Sequence, residues 1–187
     1  MALGSSIMLT YSGNATGILG ATAFTNAAFT VTSFADTASV TIMGGPTYEI
    51  AATSSTIAIA GLGTAGFSDS TFWSDPQGSG DIIFNDAVTN QALLGFVELF
   101  AGLETYQFTT SIGPVSSGFA FVPNLFPTFQ NIPTSLGLLT INSTSNELFS
   151  ASVLATPEPA LGLSVAGLFA ALLLRRLRRS MQTCKLY

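Results

Sequence analysis

The chain has 187 residues, of which 48% are hydrophobic and only 8% are charged, whereas roughly 25% of residues are charged in an average soluble domain. This length allows one domain with an appendage, and 15 Phe residues supply apolar surface for a core. High hydrophobicity combined with many aromatic residues excludes an intrinsically disordered chain.

Charge is segregated along the chain. All ten acidic residues lie before position 160, and all five basic residues lie after position 174. The first 174 residues therefore carry −10 and the last 13 carry +5, which sums to −5. Because a body without Lys or Arg cannot neutralise phosphate groups, we expect no nucleic-acid partner.

Short β-prone runs separated by Gly, Asn, Asp, Ser and Pro dominate the chain up to residue 154. The predicted strands are 7–12, 15–19, 27–34, 39–43, 48–51, 56–60, 71–73, 82–85, 94–100, 106–110, 118–122, 138–142 and 148–154. They recur about every 8 to 14 residues, which is typical of a sandwich or barrel and not of βαβ units. Segment 91–103 could instead form a short helix, but its Gly and Phe content favours a strand.

Alternation supports this assignment, because Phe29 and Val31 fall on one face of their strand and Leu139 and Ile141 on one face of theirs. Segment 61–66 matches G-x-G-x-x-G, but no helix is predicted after it, so a Gly-rich hairpin is favoured over a nucleotide site. We therefore predict an all-β fold: a β-sandwich-like body over residues 1–154 with a C-terminal single transmembrane helix.

Few residues in this body can support catalysis. The chain has no His, and its first 174 residues contain no Lys, Arg or Cys, which excludes triad, Cys–His, metal–His and Lys-based mechanisms. We predict no catalytic residue, no metal site and no cofactor.

Four carboxylates, Asp69, Asp75, Asp81 and Asp86, leave two alternatives open: a carboxylate-based glycan hydrolase and an oxygen-rich Ca²⁺ loop. The interpretation we favour is a polar turn with capping Asp residues. Trp73, beside Phe67 and Phe72, could stack on a sugar ring, but packing in the core explains it equally well and is favoured.

The C-terminal region has three parts in a fixed order. Pro157, Glu158 and Pro159 hold the backbone extended and exclude a helix before residue 160. Residues 160–174 form an apolar run, whose helix would span about 22 Å, shorter than a hydrocarbon core of about 30 Å. A basic cluster follows at 175–179, and the positive-inside rule places it in the cytoplasm and the acidic body on the far side of the membrane.

This order of Pro-Glu-Pro, short apolar helix and arginine cluster resembles the PEP-CTERM sorting signal of Gram-negative bacteria over residues 157–179. The resemblance implies recognition by an exosortase, a membrane-embedded processing enzyme, and association with exopolysaccharide and biofilm. It gives the chain an exported body (1–154), a sorting signal (155–180) and a short tail (181–187). The residues implied for the sorting motif are Pro157, Glu158 and Pro159, and those for membrane stop-transfer are Arg175, Arg176, Arg178 and Arg179.

We accordingly expect a non-enzymatic protein that is first a single-pass membrane protein and then reaches the cell surface or the matrix. Export needs an N-terminal signal, and residues 4–13 read as a strand instead, so we expect either a reading frame that begins upstream of Met1 or a chain that is a fragment. Two alternatives remain. The first is a permanently anchored membrane protein with a polysaccharide- or protein-binding β domain, and the second is the glycan hydrolase.

Overall fold

The computed structural model describes residues 4–45, 47–97, 103–116 and 130–155. The chain divides into two units, Met1–Leu154 and Ala155–Tyr187, and the architecture below is that of the first unit. The helix predicted at 160–174 and the strand predicted at 118–122 lie outside the described residues. Within the described ranges, no helix has the length and apolar character needed to cross a membrane.

The described residues form ten strands in a single antiparallel sheet. The strands are β1 (Ser6–Leu19), β2 (Thr22–Met43), β3 (Thr47–Ile59), β4 (Gly63–Gly66), β5 (Thr71–Pro76), β6 (Asp81–Asp86), β7 (Gln91–Val97), β8 (Ile112–Ser116), β9 (Ile132–Thr134) and β10 (Gly137–Val153). Their order in the sheet is β7-β6-β5-β3-β2-β1-β10-β8, with β4 beside β3 and β9 beside β10. The prediction of an all-β fold is confirmed.

The longest strands join runs that the sequence separates. The predicted strands 7–12 and 15–19 are one strand, β1, with a register shift between Ser12 and Asn14 against β10. Likewise 27–34 and 39–43 are both parts of β2, whose pairing with β3 is irregular between Ala35 and Val40. Such irregularities bend and twist a strand without ending it, so small and polar residues within these strands do not mark turns.

The strand predicted at 106–110 is wrong. This segment is a loop, in which Phe108 adopts a left-handed backbone with φ of 55°. Tyr106 and Phe108 are both buried, as they would be on one face of a strand, but they are buried by covering the core from a loop. Their rings meet edge to face at 5.2 Å. Alternating burial therefore does not require a paired strand here.

The sheet curls until it is nearly closed and barrel-like. The Tyr11 hydroxyl of β1 donates a hydrogen bond to the Gly95 carbonyl of β7 at 3.2 Å, although several strands separate β1 from β7 in the sheet order. The Trp73 ring of β5 lies 5.7 Å from the Phe149 ring of β10. One core therefore fills the space between two opposite sides of the same sheet.

Candidate functional site

The candidate site is built at the end of β5. Side chains on a strand point alternately to its two faces, and Thr71, Trp73 and Asp75 share the face of β5 that is buried. Thr71 and Trp73 are common in protein cores, but Asp75 carries a carboxyl group and has no exposed surface. β5 therefore delivers an acidic group into the interior of the sheet.

A turn and a distant loop surround this carboxyl group. Residues 77–80 connect β5 to β6, and Gly78 and Gly80 adopt positive φ in that turn. The Gln77 Nε2 donates to Asp75 Oδ2 at 3.3 Å and to the Tyr106 carbonyl at 2.9 Å. The Gly78 amide donates to the Glu104 carbonyl at 3.2 Å. The loop segment 103–110 is thus docked onto the β5–β6 turn.

Asp75 and Asp81, which we call the carboxyl pair, lie on either side of this turn. Burial, and to a smaller extent the negative charge of Asp81, raise the pKa of Asp75 to about 7. Burial also raises the pKa of Asp81, while its hydrogen bonding with Ser79 acts in the opposite direction. Two carboxyl groups in this setting disfavour double ionisation, because desolvation and like-charge repulsion act together.

Each carboxyl group leaves one oxygen without a protein partner. Asp75 Oδ1 and Asp81 Oδ1 are buried and accept no hydrogen bond within the described residues, and the Trp73 Nε1 on the same strand donates none. Buried polar atoms are normally satisfied, and each exception calls for a physical explanation. Two of the three buried side-chain atoms without a partner in the described structure therefore belong to the residues on either side of the β5–β6 turn.

The four acidic residues singled out in the sequence do not act as one group, and Asp69 lies half-buried between β4 and β5, away from the β5–β6 turn in the chain. Asp86 caps a turn, because its Oδ1 accepts the Val88 and Thr89 amides at 2.7 and 3.1 Å. This confirms the capping interpretation for Asp86, whereas Asp75 and Asp81 form the carboxyl pair. Within the described ranges, no group of three or more His, Cys, Asp or Glu side chains is arranged to hold a metal ion.

Trp73 is a core residue, as the favoured interpretation predicts. Only 1% of its surface is exposed, and its ring lies 4.8 Å from the Phe84 ring. Phe67 packs edge to face on the same Phe84 at 5.0 Å. Trp73 is therefore packed inside the sheet and does not present a platform to a sugar.

A second buried polar group escapes sequence analysis. Glu147 and Thr144 of β10 both point into the core, and the Thr144 hydroxyl donates to Glu147 Oε1. Burial and the Glu147 carboxylate raise the pKa of the Tyr11 hydroxyl well above its usual range. The two buried positions, 144 and 147, are three residues apart, and Asn146 between them has a φ of 53°. A strict alternation of faces would therefore place Glu147 on the exposed side of β10.

The residues of the sorting signal, Pro157, Glu158 and Pro159 with Arg175, Arg176, Arg178 and Arg179, lie outside the described residues. What the described part defines is an acidic all-β domain with a buried carboxyl pair. In comparisons with protein families, with curated proteins and with solved structures, no match was found.

Proposed function

We propose that this chain is an exported, non-enzymatic surface or biofilm-matrix protein that carries a C-terminal PEP-CTERM sorting and membrane-anchoring signal. One observation carries the proposal: Pro-Glu-Pro at 157–159, the apolar run 160–174 and four arginines within 175–179 occur in the order that such a signal requires. An exosortase is the processing partner, and the apolar run is the membrane-spanning helix.

Charge distribution supports the same orientation. Arg and Lys remain on the cytoplasmic side of an inserted helix, and all five basic residues follow the apolar run. The body that precedes it is acidic throughout and faces the other side. A helix of about 22 Å is shorter than the bilayer's hydrocarbon core of about 30 Å. Such a helix fits a temporary membrane anchor that is removed by processing better than a permanent one. Exopolysaccharide is the candidate partner of the processed protein.

Fractionation of cells tests the sorting step. The protein, expressed from its own locus with an epitope in the β body, is followed in an exosortase-positive strain and in an isogenic exosortase deletion. We expect a shortened form at the surface or in the matrix of the first strain and full-length protein in the inner membrane of the second. Replacing Pro157, Glu158 and Pro159 by Ala should reproduce the deletion, whereas Glu104→Ala, at an exposed acid of the body, should leave sorting unchanged.

Full-length protein in the inner membrane of both strains would contradict sorting and favour the permanently anchored alternative. The non-enzymatic part is tested separately by incubating the wild-type protein with the exopolysaccharide of the host. Release of reducing ends that is lost in Asp75→Asn and Asp81→Asn, but kept in Asp36→Asn, would instead support a carboxylate-based hydrolase. We expect no release.

A further inference from the structure

The peptide bond between Asp75 and Pro76 differs chemically from the others in the chain. Of the eight prolines, Pro76 alone follows an aspartate. Acid cleaves an Asp–Pro bond more readily than other peptide bonds, because the carboxyl group can reach its own carbonyl carbon through a five-membered ring. The proline nitrogen also carries no hydrogen and leaves as a secondary amine. In the fold this bond ends β5, where Asp75 pairs with Tyr48 and Pro76 with Thr47 of β3.

The side chain of Asp75 is arranged so that one oxygen is held and the other is available. Its Oδ2 accepts from Gln77 Nε2 at 3.3 Å, and that amide group is fixed in turn by the Tyr106 carbonyl at 2.9 Å. Its Oδ1 accepts no hydrogen bond within the described residues. Asp75 has no exposed surface, so competing water is kept away. A group placed next to the atom it attacks gains a large rate advantage.

The attack also needs a proton for the departing nitrogen. Burial, and to a smaller extent the charge of Asp81, raise the pKa of Asp75 to about 7. The titratable groups around it are Asp81 of β6, Tyr106 of the 103–110 loop and Tyr48 opposite it on β3. None is a cation, and the first Lys or Arg of the chain is Arg175. Asp75 therefore keeps its proton near neutral pH, where an ordinary aspartate has lost it.

We propose that the folded β domain cleaves its own chain between Asp75 and Pro76. A carboxyl oxygen of Asp75 attacks the backbone carbonyl carbon of the same residue, and the C–N bond to Pro76 breaks. The carboxyl proton ends on the Pro76 nitrogen, which becomes a new N-terminus. Asp75 is left as a cyclic anhydride, which water opens to two carboxyl groups. The step balances with water as its only co-reactant.

The cleaved chain should stay assembled. After cleavage β5 remains paired with β3, and β6 remains paired with β7, so fragments 1–75 and 76–187 share one core. Cleavage thus converts a single chain into two without dismantling the sheet. The inference rests on the β domain alone and stands whether or not the chain is sorted as proposed.

Intact-mass spectrometry tests the reaction directly. The full chain is kept in non-ionic detergent with protease inhibitors at pH 6 and 37 °C, and the same protein is kept unfolded in urea at that pH. About nine-tenths of Asp75 carries its proton in the folded protein, against less than about 1% in the unfolded chain. Fragments 1–75 and 76–187 should therefore form at least about tenfold faster in the folded protein. Hydroxylamine should trap the anhydride as a hydroxamate on fragment 1–75.

The pH profile separates this site from an ordinary Asp–Pro bond. In the folded protein the rate should change less than about twofold between pH 4 and pH 6 and fall about tenfold from pH 6 to pH 8. In the unfolded chain it should still rise by more than about tenfold from pH 6 to pH 4, because an ordinary aspartate is protonated only over that range.

Asp75→Asn removes the nucleophile and Pro76→Ala removes the proline leaving group, so each should slow cleavage by about tenfold or more. Asp36→Asn, which removes an exposed carboxylate of β2, should keep the wild-type rate. Circular dichroism and Trp73 emission check the fold of each variant. If Asp75→Asn does not fold, Pro76→Ala decides.

The absence of both fragments from the folded wild type at pH 6 would overturn the proposal. Equal rates in the folded and the unfolded protein would show only the intrinsic lability of the dipeptide. Fragments that persist in Asp75→Asn and Pro76→Ala would come from a protease. Either of these results would overturn self-cleavage as well.

Discussion

Asp75 should make the stability of the domain depend on pH. Its folded-state pKa of about 7 lies above its ordinary value of 3.8, so the folded protein binds this proton more tightly than the unfolded chain does. The stabilisation is fully present below about pH 4 and is lost as pH rises through about 7. In EGTA, the free energy of unfolding should be higher at pH 5 than at pH 8 by roughly 1–3 kcal/mol.

Asp75→Asn should remove most of this dependence, because the amide does not ionise, and it should stabilise the domain at pH 8. Urea denaturation at pH 5 and pH 8 measures the difference in the free energy of unfolding. Asp36→Asn is the control, and it should keep the pH dependence of the wild type. A slope unchanged by Asp75→Asn would assign the pH dependence to other groups. Asp81, whose pKa is also raised by burial, contributes in the same direction.

Three hydroxyl groups satisfy one another on neighbouring strands of this sheet. Ser33 and Ser55 pair across β2 and β3 with their Oγ atoms 2.7 Å apart, and Ser55 Oγ lies 2.7 Å from Thr71 Oγ1 of the neighbouring strand. Each hydroxyl both donates and accepts, so three side chains on adjacent strands satisfy one another. An ionised carboxylate only accepts, and no cation lies within the domain to meet it.

At the scale of the elements, Gly137 should be required for the turn between β9 and β10. Its φ is +107°, and a Cβ placed there would lie 2.8 Å from the Gly20 Cα of the β1–β2 turn. Gly137→Ala should therefore lower the free energy of unfolding by about 1–3 kcal/mol, from backbone strain and from the clash of the two turns.

Gly44→Ala is the matched control, because a Cβ at Gly44 of the β2–β3 turn meets nothing within 4 Å and its φ is not positive. It should change stability by no more than about 0.5 kcal/mol. Urea denaturation midpoints compare the two variants. Equal midpoints would show that the β9–β10 turn can move away from Gly20 at little cost.

Alternation of apolar and polar residues predicts the faces of the strands better than their ends. Phe29 and Val31 of β2 are buried, as predicted, and so are Leu139 and Ile141 of β10. Strand ends are predicted less well, because register shifts lie within β1, β2 and β10 and a bulge has no distinct composition. The short strands β4, β8 and β9 are not predicted, since three to five residues give too little pattern to detect.

The site could be predicted only in part for a related reason. The sequence identifies four nearby carboxylates but not which two interact, because that depends on the turn that aligns Ser74 with Ile83. The Tyr106 carbonyl that fixes Gln77 lies 29 residues further along the chain, in a segment predicted to be a strand. Contacts between a turn and a distant loop leave no periodic signal.

At the scale of the whole molecule, curling of the sheet places residues from distant strands in contact. Phe149 of β10 lies 5.7 Å from Trp73 of β5 and 6.2 Å from Tyr106, measured between ring centroids. Aromatic ring pairs at such distances stabilise the folded state by more than the apolar area they bury. Phe149 therefore joins the two sides of the sheet and also packs on Tyr106, whose carbonyl holds Gln77.

Phe149→Ala should consequently destabilise the whole domain by about 3–5 kcal/mol, because it leaves a large cavity between opposite sides of the sheet. Phe34→Ala, at a residue of β2 that is 39% exposed, should cost less than about 1 kcal/mol. Urea denaturation followed by circular dichroism and by Trp73 emission compares them. Both probes should report one coincident transition, because both sides of the sheet share one core. A Trp73 transition shifted alone, with the circular dichroism midpoint unchanged, would mean that the β5–β6–β7 side folds independently of β1 and β10.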